Sequence, residues 1–165
     1  MTLDDVAYWN QGIDRVPYMT GAEAVMDGLD LVDLSRTLRF PLPFGFTLDV
    51  GCGSGRAAKH CRSYLGVDVP ADAVAYCQRE GLLVGRIRGA PDLPAVIADW
   101  VLCLSVFTHI DRPDRQAYLE AFLTRASNLL VDIIPGSGLG DVELWTADQR
   151  QFEADFEAAG WQLRA

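Results

Sequence analysis

Three glycines spaced two apart, Gly51, Gly53 and Gly55, follow directly on the apolar run Leu48-Asp49-Val50. A buried strand that meets Gly-x-Gly-x-Gly must turn tightly, and its backbone can approach a ligand more closely than any Cβ would permit. The stretch therefore reads as a nucleotide-binding turn at the carboxyl end of a parallel strand, which limits the fold to a small set.

The rest of the chain agrees with that limit. From Leu48 onward, short continuous apolar runs alternate with helical patterns, as in strands covered on both faces. The expected strands are Thr47 to Val50, Tyr64 to Asp68, Leu82 to Ile87, Trp100 to Ser105, Leu129 to Ile134 and a short one at Trp161 to Arg164. A helix is expected directly after the glycines, carrying His60 as a surface or packing residue. Pro70 and Gly81 bracket a helix at Ala71 to Glu80, and Pro113 opens one whose Tyr118, Leu119, Phe122 and Leu123 share a face. Thr146-Ala147-Asp148-Gln149 reads as a capping box, with Phe152 and Phe156 one turn apart before Gly160. The fold class is α/β, a doubly wound, Rossmann-like, mostly parallel sheet with helices on both faces. Residues 1–165 form a single domain in this reading, with 1–43 an N-terminal helical cover, including a helix from Gly21 to Leu34, and 44–165 the α/β core.

Composition removes several function classes. A formal net charge of −9 with scattered Arg and Lys leaves no basic stripe for nucleic acid. The longest apolar runs fall far short of the ~18 residues that cross a bilayer, and Met1-Thr2-Leu3-Asp4-Asp5 lacks a basic signal-peptide start, so a cytoplasmic protein without a membrane partner is expected. Cys52, Cys61, Cys77 and Cys103 show no C-x-x-C spacing and read as reduced thiols, with no metal site.

A dinucleotide turn wants Gly-x-Gly-x-x-Gly, with its third glycine packing helix against sheet. Arg56 stands at that position, and Asp49 inside the strand would repel a pyrophosphate but attract a cation. A positively charged nucleoside suits the turn better. Here the chain resembles the class I S-adenosylmethionine-dependent methyltransferases, whose first motif is Asp/Glu-x-Gly-x-Gly-x-Gly; Asp49 to Gly55 match it at every fixed position. The resemblance extends to Gly66-Val67-Asp68 and to Asp99 through Ile110, which ends in a Ser-Val-Phe-x-His pattern, and so spans Thr47 to Ile134.

The resemblance implies a cofactor, S-adenosylmethionine, with S-adenosylhomocysteine as product and no metal. It places Asp49 at the ligand's amino group, Gly51, Cys52, Gly53 and Gly55 under its methionine moiety, and Asp68 at both ribose hydroxyls, a diol that two carboxylate oxygens can serve. Relatives carry an acid after the third strand for the adenine amino group, where this chain has Gly89. Adenine would then rest on Val69 and Ala90, on backbone groups or on Asp92. Leu104 and Ser105 complete the cofactor side, and Ser105, Thr108 and Ile110 would line the acceptor side, with Trp9 and Tyr18 closing over it. His109, following the fourth strand, is either a base or a structural residue of its loop. The fourth strand does not end in Asn/Asp-Pro-Pro-Tyr/Phe, which argues against nucleic-acid bases and glutamine as acceptors. The usual seventh strand is missing, so either Trp161 to Arg164 pairs beside the fifth strand or a second subunit covers that edge as a homodimer.

Three functions follow. The first is methyl transfer to a small-molecule acceptor. The second is a non-catalytic S-adenosylmethionine- or S-adenosylhomocysteine-binding or scaffold protein of the same fold. The third, a nicotinamide-dependent oxidoreductase, is disfavoured by Arg56 and by the absence of Tyr-x-x-x-Lys.

Overall fold

The computed structural model describes residues 35–36, 39–104, 106–107, 110, 112–131 and 142–162. Five strands, β1 (Phe44–Val50), β2 (Cys61–Asp68), β3 (Val84–Arg86), β4 (Ala98–Cys103) and β5 (Ala126–Val131), form one sheet. All pairs are parallel and the order is β3-β2-β1-β4-β5. Chain direction across the sheet reverses between β1 and β4, so a crevice opens at their carboxyl ends.

Among the described residues, α1 (Ala71–Arg79) lies between β2 and β3, α2 (Arg112–Leu123) between β4 and β5, and α3 (Val142–Ala158) follows β5. On one face, Leu48 and Val50 of β1, Val67 of β2 and Val101 and Cys103 of β4 pack against Tyr118, Leu119 and Phe122 of α2 and Phe152 and Phe156 of α3. The other face carries Leu102 against Phe44 and Ala57, and Cys52 and Val84 against Val74 and Cys77 of α1. Phe44 forms an aromatic triad with Phe40 and Trp100, its ring centroid 5.4 and 5.1 Å from theirs, closing the amino-terminal end of that face. Helices therefore cover both faces of a parallel sheet, as the continuous apolar runs require.

Both glycine-terminated helices end by the same device. The N–H of Leu82 donates to the carbonyl of Cys77, and that of Trp161 to the carbonyl of Phe156, each five residues back, so the orphan carbonyls of the last turn are satisfied.

Several expectations need correction. No full helix follows the glycine turn. The β1-to-β2 crossover is residues 51–60, with a single 3-10 helix at Arg56–His60, and β2 begins at once with Cys61. Parallel crossovers usually take a dozen residues or more; here β2 extends three residues earlier than its apolar run suggested and takes the chain a helix would use. His60 thus closes a 3-10 turn. β5 starts three residues before Leu129, because the edge strand tolerates exposed Ser127 and Asn128, and the Asn128 side chain donates to the carbonyl of Asp99. α3 begins at Val142, so Thr146 to Gln149 lie within the helix and do not start it. Trp161 is no strand residue: its indole N–H donates to the carbonyl of Leu119, fixing it against α2. Residues 163–165 lie outside the described residues, as does the helix expected from Gly21 to Leu34. Among the described residues no helix is long and apolar enough to cross a membrane.

Candidate functional site

The glycine turn sits at the carboxyl end of β1, on the β1 side of the crevice, and its fold follows from local bonds. The N–H groups of Gly51 and Cys52 both donate to the carbonyl of Val67, at 2.8 and 3.1 Å, tying the turn to the end of β2. Gly55 N–H donates to the carbonyl of Cys52 at 2.8 Å and closes the loop. Gly51, at φ +75°, has no room for a side chain: a Cβ there would lie 2.1 Å from Cγ2 of Val106, which follows β4. Gly53, at φ +53°, is the opposite case, since a Cβ there would meet nothing within 4 Å among the described residues. The turn is packed at Gly51 and open at Gly53, and the open side is where a ligand can lie against bare backbone.

Asp68 ends β2 beside that opening. Its Oδ2 accepts the N–H of Gly53 at 2.6 Å and its Oδ1 accepts that of Val69 at 2.7 Å. Both bonds favour the carboxylate, yet burial outweighs them and pushes its pKa above the usual range. Each oxygen keeps a second lone pair for a hydroxyl donor.

Asp49 lies beneath the turn, 4% exposed, with Oδ2 accepting the hydroxyl proton of Tyr64 at 2.8 Å. Desolvation pushes its pKa up to about 7; the Tyr64 hydrogen bond and Arg56 oppose the shift and Asp68 adds to it. Burial, with Asp49 close by, also pushes the Tyr64 phenol up. An acid so placed carries its charge readily only when a cation arrives.

Cys52 and Cys77 are buried on the other side of the turn, and the Cys77 thiol donates to the carbonyl of Gly53 at 3.1 Å. The neighbouring Cys77 thiol, with burial and the nearby carboxylates, pushes the Cys52 thiol up. None of the four cysteines is in a disulfide.

After β3, Gly89 is extended and Ala90 opens a short 3-10 helix, its side chain buried in the core with Ile87 and Leu93. The Asp92 carboxylate accepts the Arg88 N–H at 2.9 Å. Val69 is half-buried beside Asp68, and Leu104 packs with Leu102 and Phe44. The structure thus gathers Asp49, Gly51, Cys52, Gly53, Gly55 and Asp68 around one turn. Ile110, expected on the acceptor side, is instead buried in the core cluster with Phe107 and Leu119, and Ser105, Thr108, His109, Trp9 and Tyr18 lie outside the described residues.

Two partners escaped the sequence reading. Val106 seats on Gly51, and Tyr64 reaches Asp49 from the neighbouring strand. The second had a signal: Tyr64, Gly66 and Asp68 alternate along β2 on one face, and Gly66 pairs with Asp49, leaving its place to the phenol.

Residues 48–127 match a family model described as a methyltransferase domain. No curated protein matches the chain. Among solved structures, an S-adenosylmethionine-dependent methyltransferase from Archaeoglobus fulgidus is similar with TM-score 0.62 and 16% identity, over 82% of this chain and 69% of that one. A TehB-like methyltransferase from Corynebacterium glutamicum gives 0.61 and 15%, over 88% and 83%. One from Clostridium acetobutylicum gives 0.52 and 16%, over 62% of this chain and 47% of that one. The chain thus spans under half the length of this last protein, and 62% of another neighbour, DhpI. The family match falls on the segment that builds β1, the glycine turn, Asp68 and β4, just under half of the chain, and the solved neighbours share its fold: both findings agree with the class I S-adenosylmethionine-dependent methyltransferases.

Proposed function

We propose that this chain binds S-adenosylmethionine and transfers its methyl group to a small-molecule acceptor. The observation that carries the reading is the pairing of an open glycine turn at Gly53 with a carboxylate, Asp68, at its side. These groups fit the cofactor: bare backbone for the chain bearing its sulfonium, two acceptor oxygens for a diol, and buried Asp49 for an ammonium. Neighbours of the fold include DhpI solved with S-adenosylmethionine and with S-adenosylhomocysteine, and a sugar N-methyltransferase, KedS8, from Streptoalloteichus, at TM-score 0.50 and 21% identity. They support a small acceptor.

When bound, the sulfonium supplies an activated methyl group with an excellent leaving group. The protein's part is alignment: Gly51 to Gly55 fix the ligand's height above the sheet, Asp68 fixes its sugar, and Asp49 holds its amino end. Where the acceptor must lose a proton, His109 is the proposed base, with Ser105 and Thr108 lining the acceptor side and Trp9 and Tyr18 closing over it. These five assignments rest on the sequence resemblance. The reading includes a single cytoplasmic domain and a homodimer across β5, the edge strand of the sheet among the described residues. The shortened crossover at Arg56–His60 favours a second reading, a non-catalytic binding protein.

Asp68→Ala is expected to weaken S-adenosylmethionine binding by about 1.5–3 kcal/mol, on the order of 10- to 100-fold in Kd. Asp68→Asn retains an acceptor for Gly53 and separates loss of the ligand contact from loss of the turn. Unchanged affinity in both would remove Asp68 from the site. Turnover of S-adenosylmethionine over a panel of sugars, amines and phenols separates enzyme from binding protein: binding without turnover on any acceptor favours the second reading.

A further inference from the structure

The cradle's deepest polar contact lies below the turn and comes from the neighbouring strand. Thr47 pairs with Tyr64 and Asp49 with Gly66 across β1 and β2. Tyr64 and Gly66 are two residues apart on one face, so the phenol runs along the sheet over the place where residue 66 would carry a side chain. A Cβ at Gly66 would lie 3.0 Å from the Tyr64 hydroxyl oxygen and 2.9 Å from Sγ of Cys52. Gly66 is therefore the vacancy through which Tyr64 reaches Oδ2 of Asp49, at 2.8 Å.

We propose that Tyr64 is a positioning residue for the cradle: its hydroxyl clamps one oxygen of Asp49, sets the carboxyl group for a ligand ammonium, and couples binding of that cation to release of the Asp49 proton. The proposal rests on the cofactor reading above, since it takes the ammonium to be that of an S-adenosyl amino acid.

The surroundings of Asp49 decide the sign. From β2 it faces Tyr64, Asp68 and Cys61, from the turn Cys52, from the 3-10 helix Arg56, and from α1 Cys77. Burial and Asp68 disfavour its charge, while Tyr64 and Arg56 favour it. The protein therefore holds Asp49 largely protonated below about pH 7. An arriving ammonium shifts it toward the carboxylate, so a proton leaves on binding and affinity rises with pH up to that region. Removing the Tyr64 bond removes one of the two favourable interactions and moves the whole dependence upward.

The test uses S-adenosylhomocysteine, which keeps the amino acid end and undergoes no transfer. Calorimetric titration from pH 6 to 8.5, in buffers of different ionisation enthalpy, counts released protons. The wild type should release a fraction of a proton near pH 7. Tyr64→Phe should bind roughly 3- to 10-fold more weakly at pH 7, with its inflection moved to higher pH and the difference narrowing by pH 8.5. Asp49→Asn, which retains an acceptor for Tyr64, should bind with a flat pH profile. A second readout needs no ligand: the pH dependence of urea unfolding should move upward in Tyr64→Phe and flatten in Asp49→Asn. An unmoved inflection in Tyr64→Phe, in a protein that binds, overturns the positioning role. No binding by the wild type, with the unfolding profiles as expected, overturns the cofactor reading and the ligand part of the proposal while leaving the Tyr64–Asp49 pair standing.

Discussion

Gly51→Ala will destabilise the protein by about 2–4 kcal/mol, while Gly53→Ala will cost about 1–2 kcal/mol. Both residues have positive φ, +75° and +53°, so each substitution incurs the left-handed backbone penalty of roughly 1–2 kcal/mol. They differ in what the new methyl meets. At Gly51 it would lie 2.1 and 2.9 Å from the two methyl carbons of Val106, a β-branched side chain with little rotamer freedom. At Gly53 it enters open space. Urea unfolding of the two variants isolates the Val106 contact, and Val106→Ala placed on Gly51→Ala should restore part of the loss. Equal destabilisation would mean that Val106 does not seat on the turn. Gly53→Ala should instead show its main effect on ligand affinity, because its methyl occupies the space assigned to the ligand.

Asp49→Asn is expected to make the unliganded protein more stable at pH 8, by up to about 4 kcal/mol. The folded pKa, about 7, lies above the ordinary 3.8, so between those values the folded state binds more protons than the unfolded one. Stability therefore falls as pH rises through that window, and above it the full cost of a buried carboxylate is present. Asparagine carries no charge at any pH and can still accept the Tyr64 hydroxyl. The variant and the wild type should converge near pH 4 and separate steadily toward pH 8, measured as urea midpoints. A gap that does not change with pH would show that Asp49 is not held in its neutral form. The gain in stability should accompany a loss of affinity for an ammonium-bearing ligand, the usual cost of removing a strained functional group.

The fold was legible wherever burial dictates composition. The apolar segments at Leu48, Val67, Val101 and Leu129 all lie in strands of one parallel sheet, and Gly81 and Gly160 end their helices as their neighbours suggested. Legibility failed where burial is partial. β5 carries exposed Ser127 and Asn128 directly after its first residue, Ala126, which an edge strand accepts and an apolar count does not. The crossover after Gly55 has helix-forming residues in Arg56-Ala57-Ala58-Lys59, but β2 begins at Cys61, a pairing decided by β1 across the sheet and not by local preference. Trp161 looked like strand and serves as a wedge on α2, because a tryptophan buries equally well in either role. The site divides in the same way. Asp49, Gly51, Gly53, Gly55 and Asp68 were readable because a backbone turn and a strand-end acid have fixed sequence positions. Val106 was not, since a contact between the ends of two strands leaves no spacing to read, and Tyr64 left only the alternation Tyr64, Gly66, Asp68, which marks a shared face of β2 but not the partner on β1.

The central claim is that this turn holds S-adenosylmethionine, and calorimetric titration of the wild-type protein at pH 7.5 with S-adenosylmethionine, S-adenosylhomocysteine and NAD tests it most directly. The account predicts saturable one-to-one binding of both sulfur compounds and little or no heat from NAD. Tight NAD binding with no response to either sulfur compound would contradict it.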